Sequence, residues 1–157
     1  MSFFKMTETE HNMAQKDSRR LYMVLPHLYP DLINNPTDGD YHLQNDSDGN
    51  GTFLVWKNTE ITEPTEQELA DAKEDAMNAY WWKRLRQKRD KLLVESDWSQ
   101  GADVPDALKT SYATYRTDLR DLPTTVTKPD VETLNNESNN ESVDNGWNMK
   151  NFMPTKP

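Results

Sequence analysis

The chain has 157 residues, no cysteine, 34% hydrophobic residues, 29% charged residues and a formal net charge of −9. That length allows one domain of modest size, and a mean hydropathy of −1.02 leaves a small core with long polar arms. Lack of cysteine excludes a disulfide framework and thiolate chemistry, as suits a reducing cytoplasm, and the acidic balance argues against a nucleic-acid or anionic-membrane surface.

Residues 1–18 read as a flexible polar N-terminal arm with Phe3, Phe4 and Met6 as candidate anchors. Charged and polar residues follow Phe3 and Phe4 directly, so no signal-peptide apolar region is expected, and no apolar run approaches the roughly 20 residues of a membrane span. The expectation is a soluble protein with no membrane partner.

Residues 19–63 read as a small β or irregular unit. The apolar run 21–25 ends at Pro26, and residues 41–44 with 52–57 have the alternation of a hairpin around a turn. The turn itself, Asp46-Ser47-Asp48-Gly49-Asn50-Gly51-Thr52, copies the first half of an EF-hand loop, with oxygen ligands at positions one, three and five and glycine at six. Position twelve is Lys57, a cation where a bidentate glutamate is needed, so a tight hairpin turn is the preferred reading over a weak calcium site.

Residues 64–95 read as one long helix. Pro64, Thr65 and a glutamate three residues on at Glu68 form a capping box with Thr65 as N-cap. Such a helix would span roughly 45 Å, more than this chain needs for its own core, so part of it is expected to pack on another subunit. Glu66, Glu68, Asp71, Glu74 and Asp75 fill its early turns, and Lys83, Arg84, Arg86, Lys88, Arg89 and Lys91 fill its later ones. That order complements a helix macrodipole, which is a better account of the basic run than a nucleic-acid stripe or a surface for an acidic protein. Tyr80, Trp81 and Trp82 are consecutive, point over roughly 200° of arc and cannot all face one small core, so an interface role is expected for at least one.

The helix should stop near Ser96 and Asp97. A connector with Trp98 and Gly101 follows, Trp98 being a candidate lock between two helices. Pro105 then opens a second helix with Asp106 in its first turn. Leu108, Tyr112, Tyr115, Leu119 and Leu122 recur at intervals of four, three, four and three, an amphipathic stripe that Pro123 should end. From residue 124 the composition turns to Asn, Thr, Ser, Glu and Pro, including the tandem Asn-Asn-Glu-Ser at 135–142. This reads as an extended polar C-terminal arm whose apolar side chains, Trp147, Met149, Phe152 and Met153, would dock on a partner.

No catalytic constellation can be assembled. His11, His27 and His42 lack metal-ligand spacing, there is no glycine-rich phosphate loop, and no serine sits in a nucleophile elbow. No enzyme activity, cofactor or metal is expected.

Residues 86–123 carry a resemblance. An arginine-rich helix, the step Ser96-Asp97-Trp98-Ser99-Gln100, the lead-in Asp103-Val104-Pro105, then Tyr112, Tyr115-Arg116 and Leu119-Arg120-Asp121-Leu122-Pro123 resemble the phage tail assembly chaperone domain. Ser99 and Tyr112 stand where that family often has Thr and Trp. Upstream, Tyr41-His42-Leu43-Gln44, an Asp/Gly turn, Phe53-Leu54-Val55-Trp56 and Glu63-Pro64-Thr65 are similar to small tail proteins of marine and cyanobacterial phages.

The expected fold is therefore α+β: a small N-terminal β-hairpin unit at 19–63, a long helix and helical hairpin at 64–123, and extended arms at 1–18 and 124–157. The resemblance implies a non-enzymatic bacteriophage tail protein, assembled in the host cytoplasm and acting through contacts with fibre or baseplate subunits in a symmetric oligomer. The preferred form is a virion structural or adaptor component at the baseplate or tail-fibre junction; the alternative is a transient tail-fibre assembly chaperone that leaves. Candidate partner-binding residues are Tyr80, Trp81, Trp82, Trp98, Tyr112, Tyr115, Arg116, Trp147 and Phe152.

Overall fold

The computed structural model describes residues 20–46, 51–136 and 147–157. The N-terminal arm with Phe3, Phe4 and Met6, positions 47–50 of the calcium-like turn, and most of the tandem Asn-Asn-Glu-Ser stretch lie outside the described residues. The architecture is the expected α+β, a two-stranded antiparallel hairpin followed by a long helix and further helices. The chain forms two compact units, Met1–Tyr80 and Trp81–Pro157.

In the first unit, helix α1 spans Leu21–Leu28. This differs from the expected β or irregular segment ended by Pro26, which instead lies inside the helix. A short apolar run has no periodicity to separate a strand from a buried helix. Proline inside a helix costs about 3 kcal/mol. Burial of Leu21, Met23, Val24 and Leu25, each at 2% exposure or less, supplies about 1.5–3 kcal/mol per large side chain and outweighs it. Arg20 precedes the helix in the left-handed region, φ 56°, and its carbonyl accepts from Met23 and Val24 N–H at 2.8 and 3.0 Å.

Strand β1, Tyr41–Gln44, pairs with β2, Phe53–Trp56, in the register Tyr41 to Trp56 through Gln44 to Phe53. That register stacks the Tyr41 and Trp56 rings at 6.0 Å, and Tyr29 meets Trp56 edge-on at 5.4 Å. A turn before β1 is tied by Asp40, whose carboxylate accepts from Ile33 N–H at 2.8 Å and from the Asn58 amide at 2.7 Å. Those bonds hold the Asp40 carboxyl below its ordinary pKa. Gly39 sits so close to the backbone of Asn35 and Ile33 that a Cβ there has no room.

Helix α2 spans Glu66–Glu95 and begins with the expected reciprocal box: Thr65 N–H donates to Glu68 Oε2 at 2.7 Å, and Glu68 N–H donates to Thr65 Oγ1 at 3.2 Å. Leu69, Ala76 and Met77 are buried from its first half, Trp81 and Leu85 from its second.

In the second unit, α2 gives way at Ser96 to a single 3-10 turn, Asp97–Gln100, and helix α3 follows at Asp106–Thr125. Tyr112, Tyr115, Leu119 and Leu122 are buried as the stripe predicts, whereas Leu108 is 43% exposed. Leu108 lies in the first turn of α3, ahead of the part that packs on Leu92 and Leu93. Pro123 does not end the helix. Its missing N–H removes one bond near the C-terminus, while buried Leu119 and Leu122 hold that turn and Val126 N–H reaches the Leu122 carbonyl at 3.0 Å.

A short helix α4, Val131–Asn136, is capped by Asp130 Oδ1, which accepts from Thr133 N–H at 2.7 Å. A 3-10 turn, Met149–Phe152, lies near the C-terminus.

Candidate protein-interaction surface

The end of the hairpin is built from side chains that close their own backbone. Ser96 Oγ shares its one proton between the Leu92 and Leu93 carbonyls, at 2.8 and 3.0 Å, two of the acceptors left at a helix C-terminus. Ser99 Oγ donates to the Ser96 carbonyl at 2.7 Å, and Gly101 N–H to the Trp98 carbonyl at 3.1 Å. Ser96 and Ser99 are buried at 1% and 0% exposure, so the tight turn depends on small hydroxyl side chains at both positions.

Arg116 joins α3 to this turn. Its Nη1 donates to the Leu93 carbonyl at 2.6 Å and to Ser96 Oγ at 2.8 Å, and its Nη2 to Asp97 Oδ1 at 2.8 Å. Arg116 is 7% exposed, and its Nε has no hydrogen-bond partner among the described residues. The planar guanidinium alone among side chains presents several donors at fixed angles, which is what three acceptors on one turn require.

Trp98 is 52% exposed, not the buried lock expected. The 3-10 turn directs it outward, and one edge of the ring meets Tyr112 at 4.9 Å. Tyr112 in turn meets Tyr115 at 6.1 Å, so an aromatic row runs from the surface into the core formed by Tyr112, Tyr115 and Leu119. Burial raises the Tyr115 phenol above its ordinary pKa, with Glu95 and then Tyr112 adding to the shift.

Tyr80 is half-buried with its ring edge-on to Tyr22 at 5.9 Å. Trp81 is buried and touches both Trp82, at 5.0 Å, and Phe152, at 5.1 Å. Trp82 is half-buried beneath the Arg86 guanidinium, 5.8 Å from the ring centre. Trp147 is buried, its indole N–H donating to the Leu134 carbonyl at 2.9 Å, and Met149 is 1% exposed. Met153 packs against the Tyr112, Tyr115 and Leu119 cluster. The apolar side chains near the C-terminus therefore bury themselves on their own chain: ring-on-ring contact and an intramolecular acceptor for the indole meet the needs a partner was expected to meet.

Beside that packing lies a cleft of about 330 Å³ lined by Asp118, Asp121, Leu122, Thr125, Asn151 and Phe152, among others. In the basic run, Arg89 pairs with Asp90 at 2.6 Å and Lys91 with Glu95 at 3.8 Å, so part of its charge is neutralised within the helix. Among the described residues, no group of three or more His, Cys, Asp or Glu is placed to hold a metal ion, and no helix is long and apolar enough to cross a membrane.

The sequence marks Trp98, Tyr112, Tyr115 and Arg116 singly, but neither the ring contacts that join the first three nor the way Arg116 works. Its signal was present as a lone arginine on an otherwise apolar stripe, beside a Ser-Asp pair that ends the preceding helix. Residues 82–136 match the model of the family described as phage tail assembly chaperone protein, and residues 21–81 match that of the family described as XkdW protein. Both families are phage-tail-related, so the resemblance carried by residues 86–123 is borne out, over a longer stretch than those residues alone. The divide between the two matches falls within a residue of the divide between the two compact units. Together the matches support a phage-tail-related role. No curated protein and no solved structure matches the chain.

Proposed function

We propose that the chain is a non-enzymatic bacteriophage tail protein that acts through protein contacts made by its helical hairpin. The observation that carries this reading is the hairpin itself: a rigid turn, braced by buried Arg116, that holds a half-exposed tryptophan at its end. Rigid presentation of an aromatic side chain lowers the entropy lost on docking, which is how small surfaces bind specifically.

Between the two forms, the burial of Trp147 and Met149 favours the transient chaperone. Apolar side chains already enclosed by their own chain are not available to grip a neighbouring tail subunit, and permanent interfaces are the large, apolar ones. The family description over residues 82–136 points the same way. The virion component, at a baseplate or fibre junction and in a symmetric oligomer, is the other outcome of one experiment: quantitative mass spectrometry of salt-washed phage particles, with the tail tube protein as reference. Absence from particles despite expression during infection supports the departing chaperone. Presence at a fixed multiple of three or six identifies a virion part. A chain that never associates with tail proteins, in particles or in infected cells, sinks both.

A further inference from the structure

Among the described residues, the exposed large hydrophobic side chains of the second unit are Val94, Trp98 and Leu108, at 70%, 52% and 43% exposure. All three belong to one end of the hairpin: the last turn of α2, the connector and the first turn of α3. Leu108 stands one helical turn before Tyr112, and Tyr112 meets the Trp98 ring, so Leu108 and Trp98 flank the same tyrosine. Nothing in the local fold needs Leu108 to be apolar there.

Carboxylates border these residues. Glu95, Asp97, Asp103 and Asp106 are all exposed, and the cation within residues 94–109 is Lys109, whose ammonium is directed to the Ala102 carbonyl at 3.2 Å. Glu95 is paired with Lys91 and Asp97 with Arg116. Asp103 and Asp106 have no ion pair among the described residues, which leaves the end of the hairpin net acidic.

We propose that this end of the hairpin docks a protein segment whose apolar side chains are flanked by lysine or arginine. The proposal rests on the protein-contact reading above and specifies the chemistry of the partner. Charge decides the occupant. A second copy would bring the same acidic border to itself and the same net charge of −9, so self-association at this end is opposed. An apolar partner without cations would leave Asp103 and Asp106 without an ion pair beside the contact; one with flanking cations pairs them and excludes competing partners.

The test uses the full chain and two synthetic peptides with the same leucine spacing, one flanked by lysines and one by glutamates. Fluorescence anisotropy of labelled peptide reads binding. The lysine peptide should bind and the glutamate peptide should not, and raising salt from about 0.05 to about 0.3 M should weaken binding several-fold. Trp98→Ala with Leu108→Ser should weaken it about tenfold, and Asp103→Asn with Asp106→Asn several-fold. Leu108→Ser alone serves where the tryptophan change disturbs folding, since Leu108 is exposed in the intact hairpin and should still weaken binding measurably. Failure of the lysine peptide to bind overturns the proposal. So does binding that ignores the Trp98 and Leu108 changes, which would transfer it to the acidic residues that open α2. The two readings separate cleanly: tail association undiminished in the Trp98→Ala, Leu108→Ser chain overturns this docking surface and leaves the function standing, whereas peptide binding without any tail association does the reverse.

Discussion

Arg116 offers the sharpest test of how the hairpin is held. Two of its three acceptors, the Leu93 carbonyl and Ser96 Oγ, are neutral and inside the fold; the third, Asp97, has a side chain 63% exposed. A hydrogen bond from a charged donor to a buried neutral acceptor is worth about 1.5–3 kcal/mol, whereas an ion pair with so exposed a partner is worth about 0–1 kcal/mol. Against these stands the buried Nε with no partner among the described residues, which costs about 1–3 kcal/mol. Leu93 keeps its bonds from the Ser96 N–H and hydroxyl when the arginine is gone, so no carbonyl is orphaned. Arg116→Ala should therefore cost about 2–4 kcal/mol, below the upper range for breaking a buried ion pair. At about 3 °C per kcal/mol for a chain of this size, the melting midpoint should fall by roughly 6–12 °C. Urea unfolding supplies the free energies. Asp97→Asn should lose under about 1 kcal/mol, and Ser96→Ala with Arg116→Ala should show coupling of about 1 kcal/mol. An Arg116→Ala loss below about 0.5 kcal/mol would refute the buried-acceptor account, and an Asp97→Asn loss equal to it would show that the ion pair governs instead.

Trp98→Ala should cost only about 1–2 kcal/mol in urea unfolding, since half the ring is solvated and its edge contact with Tyr112 supplies most of its contribution, whereas Tyr115→Ala should cost about 3–5 kcal/mol because that ring is 3% exposed; equal losses would contradict the placement of Trp98. Gly39→Ala should destabilise the first unit by more than about 1 kcal/mol, because the new methyl meets the Asn35 and Ile33 backbone; a neutral result in thermal melting would show that this turn gives way at little cost. Asp40, Glu68 and Asp130 all have pKa values lowered by hydrogen bonds, first of all to the backbone N–H of Ile33, Thr65 and Thr133, so their folded pKa lies below the unfolded one. The stability they contribute is complete above about pH 5, above the unfolded values, and is lost as pH falls through the folded ones. Asp40→Asn should flatten that acid limb, and an unchanged profile would remove Asp40 as a cause.

The elements whose sequence signals are local were legible in advance. The Thr65 and Glu68 box marks the start of α2 to the residue, and the pattern of 41–44 and 52–57 places both strands, the second running one residue shorter at each end, because in each case the bonding partners lie within a few residues or on the facing strand. The departures came where tertiary burial decided. Pro26 and Pro123 are locally unfavourable in a helix, yet both sit inside one because buried leucines on adjacent turns outweigh a missing N–H. The size of Trp98 suggests a lock, but a large ring in a connector has no periodicity to fix the direction in which it points, and the ring is half exposed.

The contrast between Trp98 and Arg116 shows why site residues are harder to read than elements. Typical burial frequencies place a tryptophan inside and an arginine at the surface; here the hairpin does the opposite at both positions, with 52% exposure for Trp98 and 7% for Arg116. Each inversion has a cause that is three-dimensional. The carbonyls and hydroxyl at the end of α2 need a donor with several N–H groups at one point, and only a residue on the facing helix can bring it there. Once Arg116 fills that space, the interior beside the connector is occupied by a polar group, and the tryptophan ring meets Tyr112 at the rim instead. The same exchange of roles that steadies the turn thus leaves an aromatic ring facing solvent, so an Arg116 variant that loosens the turn should weaken the peptide binding proposed for this end without touching Trp98 or Leu108.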